Sequence, residues 1–294
     1  MTDTRKQVSG WQRHRGQPYP CGLCGEVRNL TKAHVPPQCA GNDTTIQRSR
    51  IVSRGNRRVP ARSSSGGLYV FGLCERCNGL QGHYDSAYGR LAATLRPHSR
   101  TSNGYDPAHR TPMPAALFHP GAVARSMLIG AHALAPALRT RYPQIASNLL
   151  SRTPVIGLPS DLHLLIAVAR GTFARIAGSV SGSSLTRIPG ATGWGLGSTV
   201  EISNLAEVYF PPLAWVLTDT PHTLTARGWH DASAWSGYDP STEHLLSALV
   251  PPLPQVSHPH RTPVLWKQYI EMFAGAEAEL AELVECTKLP RSAA

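Results

Sequence analysis

What this chain has little of narrows its class. Its longest apolar run, DLHLLIAVARGTFARIAG over 161–178, is interrupted by Arg170 and Arg175 and falls short of a bilayer span, which argues against a helical membrane protein. The opening MTDTRKQVSGWQRHRGQ is charged and lacks the apolar stretch of a secretory signal, so a cytoplasmic location is expected. There is no internal repeat and no low-complexity tract. Acidic residues are scarce in one place. Residues 1–100 hold 5 Asp/Glu against 16 Lys/Arg, a balance of +11, whereas 101–294 hold 13 of each. The whole basic excess therefore sits in the first third, where it makes an electrostatic footprint for phosphate backbones. A solvated basic surface or basic loop is the plainer account of the same residues.

Cysteine is sparse but patterned. Of six, at 21, 24, 39, 74, 77 and 286, four form two C-x2-C pairs, CGLC and CERC, with 49 residues between them. In a reducing compartment such pairs hold metal more often than they form disulfides. Four thiolates from Cys21, Cys24, Cys74 and Cys77 match the tetrahedral preference of Zn2+ and leave no open position for substrate, so this zinc is structural. Cys39 stands alone and reads as a small buried residue, and Cys286 has no chemical partner in the sequence.

The fold class reads as α+β: a small zinc-stabilised N-terminal domain and a larger α+β C-terminal domain. Residues 1–18 are a polar basic tail, 19–97 the cysteine-containing unit, 98–114 a Pro-rich linker, and 115–294 an α+β domain of unassigned role. Within the first unit, 40–66 is rich in Arg, Ser, Asn and Gly and reads as a long loop or irregular hairpin. GGLYVFGLC (66–74) reads as a strand, and Tyr84, Ala87, Tyr88, Leu91 and Leu95 mark one face of a helix over 78–96, ended by Pro97. Beyond the linker, helices are expected over 121–139, 143–151, 160–178 and 263–286. Two strands are expected within 198–219, turning near Asn204, with Pro211 and Pro212 placing the second at an edge or breaking it. GATGWGLGS (190–198) lacks the strand-turn-helix context of a phosphate loop, and SHPHRTP (257–263) reads as a loop.

The order knuckle, His strand, loop, strand, knuckle, helix resembles the HNH (ββα-metal) endonuclease family, in its members with two C-x2-C pairs. CGLC at 21–24, LTKAHVPP at 30–37 and LCERCNGLQGHYD at 73–85 carry the resemblance, which covers residues 19–95 only. It implies that His34 is the general base, that Asp85 or His83 holds a catalytic Mg2+, Mn2+ or other divalent ion beside the scissile phosphate, and that the partner is nucleic acid, with DNA expected. Two positions depart from the pattern. Ala33 stands where the family commonly has an acidic ligand, and the middle-letter asparagine is missing ahead of the second pair. Asn56, 18 residues before Cys74, and Asn78, just after Cys77, are its stand-ins. Asn78 is the candidate catalytic asparagine, with helix capping as its structural alternative.

Two functions follow: a DNA-hydrolysing HNH-type endonuclease, or a non-catalytic zinc-knuckle protein that binds nucleic acid. Lys32, Arg48, Arg50, Arg54, Arg57, Arg58 and Arg62 are the expected contacts in either case. A third possibility is an interaction module acting through 115–294, which is also where a homo-oligomer would assemble.

Overall fold

A computed structural model describes residues 18–44, 46–52, 57–60, 65–99, 110–171, 173–184, 200–256 and 283–288. The mixed α+β composition is as expected. The first part contains β1 (Pro18–Pro20), β2 (Val27–His34), β3 (Ile46–Val52), β4 (Arg57–Pro60), β5 (Tyr69–Cys74) and α1 (Glu75–Ser99). β6 (Arg110–Thr111), β7 (Leu117–Phe118), α2 (Pro120–Leu134), α3 (Leu138–Arg141) and α4 (Pro143–Leu150) follow. Next come β8 (His163–Ala169), β9 (Phe173–Ser184), β10 (Val200–Phe210), β11 (Leu213–Thr218), α5 (His222–Ala226) and β12 (His230–Asp231). The last elements are β13 (His244–Leu245), α6 (Leu246–Leu249), β14 (Leu253–Val256) and β15 (Leu283–Lys288). Among the described residues no helix is long and apolar enough to cross a membrane.

Two sheets matter for the site. A small antiparallel one has the order β1-β2-β5; a ten-stranded one runs β4-β3-β15-β9-β10-β11-β8-β14-β6, with β12 also paired to β8. Of the long loop or irregular hairpin expected over 40–66, the hairpin is found, as β3–β4. It leaves the small sheet and extends the large one, where β3 pairs with β15.

Several sequence expectations need correcting. The helix expected over 160–178 is β8 and the start of β9. Leu164 to Ala169 are all buried, and a strand covered on both faces reads as an unbroken apolar run that periodicity cannot tell from a buried helix. The β10–β11 turn falls at Pro211 and Pro212, where Phe210 pairs with Leu213, and not near Asn204, which flanks a register shift in mid-strand. Prolines in the turn remove no ladder donor, so β11 is a central strand between β10 and β8. The end of the helix expected over 263–286 is instead β15; Val284 and Thr287 suit a pleated strand, and pairing with β3 and β9 overrides the Ala/Glu-rich local signal. α1 continues two residues past Pro97, which lies in its last turn, so the proline does not end the helix where expected.

One apolar cluster runs from Cys21 and Leu23 through Leu91, Met127 and Ile129 to Val208, Trp215 and Leu253, so the chain on either side of 98–114 shares a core. α2 is its axis, buried along its whole length. Its Arg125, 1% exposed, donates to the carbonyls of Gly121, Tyr238, Thr153 and Pro154, which makes the burial of this cation tolerable. Trp215 Nε1 donates to Tyr88 Oη (3.2 Å), tying β11 to α1.

The end of α2 fixes the small sheet against the large one by close backbone approach. A Cβ at Gly22, Gly72 or Gly178 would lie 2.0, 2.1 and 2.1 Å from the carbonyl oxygens of His132, Ala133 and Leu134. These are the last carbonyls of the helix, which its geometry leaves without intrahelical donors. Only glycine fits there. Gly72→Ala is expected to destabilise the protein by about 2–3 kcal/mol, read from the urea midpoint, because backbone must move to admit the methyl.

Candidate metal centre and His34 face

The first knuckle is a tight turn in which Gly25 N–H donates to Cys21 O (2.9 Å), and Gly22 N–H donates to Gly72 O (2.8 Å), laying it against β5. The second knuckle joins a strand to a helix: Cys74 ends β5 and Cys77 lies in the first turn of α1. The ligand atoms of Cys21, Cys24, Cys74 and Cys77 all lie within 4.8 Å of one another. Cys24 Sγ and Cys74 Sγ are 3.9 Å apart, close to the edge of about 3.8 Å of a tetrahedron with 2.3 Å Zn–S bonds. Three of the four are buried and Cys24 is half-buried.

Four thiols so close cannot ionise independently. A hydrogen bond from Cys77 holds the Cys21 thiol down, at about 4; the same bond pushes Cys77 up, and burial pushes Cys24 up to about 11. A divalent cation resolves the conflict by taking all four as thiolates. The donor set fits Zn2+, as the sequence spacing implied.

The knuckles hold β2 beside α1. β1 covers only the first residues of β2, so the later carbonyls on that edge need donors from elsewhere. α1 supplies them: Asn78 Nδ2 donates to Lys32 O (3.0 Å) and Gln81 Nε2 to His34 O (3.4 Å). Asn78 therefore braces the histidine strand. His34 pairs with Tyr69 across the sheet, and its Nε2 bonds Gly66 O at 2.9 Å. Because a carbonyl only accepts, Nε2 carries the proton, and in the neutral ring the lone pair is on Nδ1. Around it the side chains are aromatic and cationic: His34 and Tyr69 meet edge-on at 5.8 Å, Tyr69 and Phe71 at 5.7 Å, and Lys32 Nζ lies 4.6 Å from the Tyr69 ring centroid.

The carbonyl that holds His34 is itself set by a residue the sequence reading passed over. Asn42 is fully buried. Its Nδ2 donates to Pro36 O (2.5 Å) and Leu68 O (2.8 Å), and its Oδ1 accepts from Leu68 N–H (2.5 Å). One amide thus pinches the chain where the β3–β4 excursion leaves and returns. In sequence it sits in GND, an ordinary turn cluster, and nothing local announces partners 26 residues away.

The expected catalytic-metal ligands are engaged elsewhere. Asp85 Oδ1 accepts from Ser126 Oγ of α2 (2.9 Å), and burial pushes this carboxyl up to about 6 against hydrogen bonds from Ser126 and Gln81. His83 Nε2 accepts from Arg152 (3.0 Å), a cationic neighbour unsuited to a divalent ion. Among the described residues the four cysteines are the only group of three or more His, Cys, Asp or Glu gathered for a metal. The residues at His34 do not fit a Mg2+ or Mn2+ site. Cys39 is exposed, not buried as expected, and donates to Asp85 O (3.0 Å). Of the expected nucleic-acid contacts, Lys32 is on the His34 face, and Arg48, Arg50, Arg57 and Arg58 lie on the β3–β4 hairpin. Arg54, Arg62 and Asn56 fall outside the described residues.

Three outcomes are expected. Elemental analysis gives one Zn2+ per chain, and Cys77→Ser loses it with a drop in thermal stability. Asn42→Ala destabilises by about 3 kcal/mol in chemical denaturation, because Leu68 N–H is left buried and unpaired. Asp85 has a folded-state pKa above its unfolded value. Its contribution to stability is thus full below about 4 and lost as the pH rises through about 6. Asp85→Asn, neutral throughout, should match the parent near pH 4 and exceed it by about 2–3 kcal/mol near pH 8.

Compared with protein-family profiles, curated proteins and solved structures, the chain matches none of them.

Proposed function

We propose that residues 18–99 form a zinc-organised ββα unit of HNH type that binds nucleic acid, with DNA as the expected partner, and hydrolyses its phosphodiester bonds with His34 as base. The observation that carries this reading is the assembly around His34. Two strands and a helix are clamped by four cysteines, and the imidazole is held at Nε2 by Gly66 O, which directs its lone pair to Nδ1. In the reaction, a water oxygen bonds to phosphorus as its proton passes to Nδ1, the bond from phosphorus to the 3′ oxygen breaks, and the leaving 3′ oxygen takes a proton from solvent water. Lys32, on the same face, is the cation available to the developing negative charge. No step is assigned to a divalent ion.

A second reading is non-catalytic nucleic-acid binding by the same unit. The engagement of Asp85 by Ser126 and of His83 by Arg152 favours it. The two readings share a binding surface and part at cleavage. Nicking of supercoiled plasmid, with and without added Mg2+ or Mn2+, is expected for the parent and reduced at least ~100-fold in His34→Ala, the usual worth of a general base. Equal nicking by the two proteins removes His34 from the mechanism; DNA binding by the parent without nicking leaves the second reading.

A further inference from the structure

The exposed side of α1 carries a row of basic groups that the reading above does not use. Arg76, His83 and Arg90 are exposed and recur every seven residues, so they share one face with steps of about 10.5 Å along the axis. Two are joined by residues from the second half of the chain: Arg152 donates to His83 Nε2 (3.0 Å), and Arg90 donates to His119 Nδ1 (3.4 Å). Among the described residues no carboxylate forms an ion pair with Arg76, Arg90 or Arg152. Acidic groups nearby include Glu75, next to Arg76 in sequence, Asp85, two residues after His83 and bonded to Ser126, and Glu243, which lies 3.8 Å from His119 Nε2. Arg152 is also the one non-glycine residue with positive φ (54°) among those described, so its side chain reaches His83 from a backbone conformation that L-residues disfavour.

Beside this row the exposed side of α1 is low. Gly79 and Gly82 are exposed, and a Cβ built on either meets nothing within 4 Å. Packing does not require glycine there, and helix propensity opposes it. An elongated anion lying along the helix makes use of both features, the arginine charge without a carboxylate partner among the described residues and the low profile beside it.

We propose that this face of α1, completed by Arg152 and His119, is the track on which a nucleic-acid backbone lies, so that the second half of the chain supplies part of the binding surface. The inference rests on the nucleic-acid reading above and extends it to a surface outside the His34 face. Its test is binding of fluorescent duplex and single-stranded DNA over a range of salt. At ~0.1 M salt, Arg90→Ala/Arg152→Ala is expected to bind at least ~10-fold more weakly, with the slope of log K against log[salt] shallower by about 2. Gly79→Gln/Gly82→Gln should melt higher than the parent yet bind at least ~10-fold more weakly, a combination that a purely structural role does not produce. If the parent binds and both double variants bind like it, with unchanged slope, the track is refuted while the nucleic-acid reading stands. If the parent binds neither DNA nor RNA, both fall.

Discussion

Four sulfur atoms drawn from two turns 50 residues apart in sequence set the geometry of everything near His34. Without a cation they are in electrostatic conflict, with the Cys21 thiol held low and those of Cys24 and Cys77 high; a cation would make them a fixed point. The strand β5 and the helix α1 meet at that point, and α1 in turn supplies the amides of Asn78 and Gln81 to carbonyls along the open edge of β2. The imidazole is thus placed by a hierarchy of constraints, from the cysteine cluster through helix to strand, with the Asn42 amide acting from the loop side.

The second constraint is steric. Three glycines from the knuckle, β5 and β9 receive the terminal carbonyls of α2, and this interlocking joins what composition alone separates at 98–114. Asp85 shows the result at the level of a single side chain. A carboxyl on the helix of the cysteine unit answers to a serine on α2, in an environment dry enough to raise its proton affinity. Packing in the first hundred residues is therefore coupled to packing in the second hundred.

How much of this was legible in the sequence depends on how local each signal is. The cysteine spacing, the strand ending at Cys74 and the apolar face of α1 rest on short-range periodicity, and each is found where it was read. The run at 161–178 carries no alternation, because both faces of β8 are covered, and so it masqueraded as a helix. Asn204 looked like a turn residue, but the register closes at the prolines, where the missing amide hydrogen is harmless. Asn42 and the basic row on α1 were invisible for a different reason. Both are defined by partners brought from tens of residues away, and only the folded chain names them.

The placement of β15 has a bearing on how the molecule comes into being. This strand, 283–288, sits between β3 and β9, so the hairpin 46–60 has no seat in the large sheet until residues near 288 have been synthesised. The four cysteines, by contrast, all lie within 21–77. Pairings as distant in sequence as β3 with β15 are slow to form, so the large sheet gains its full width late in assembly.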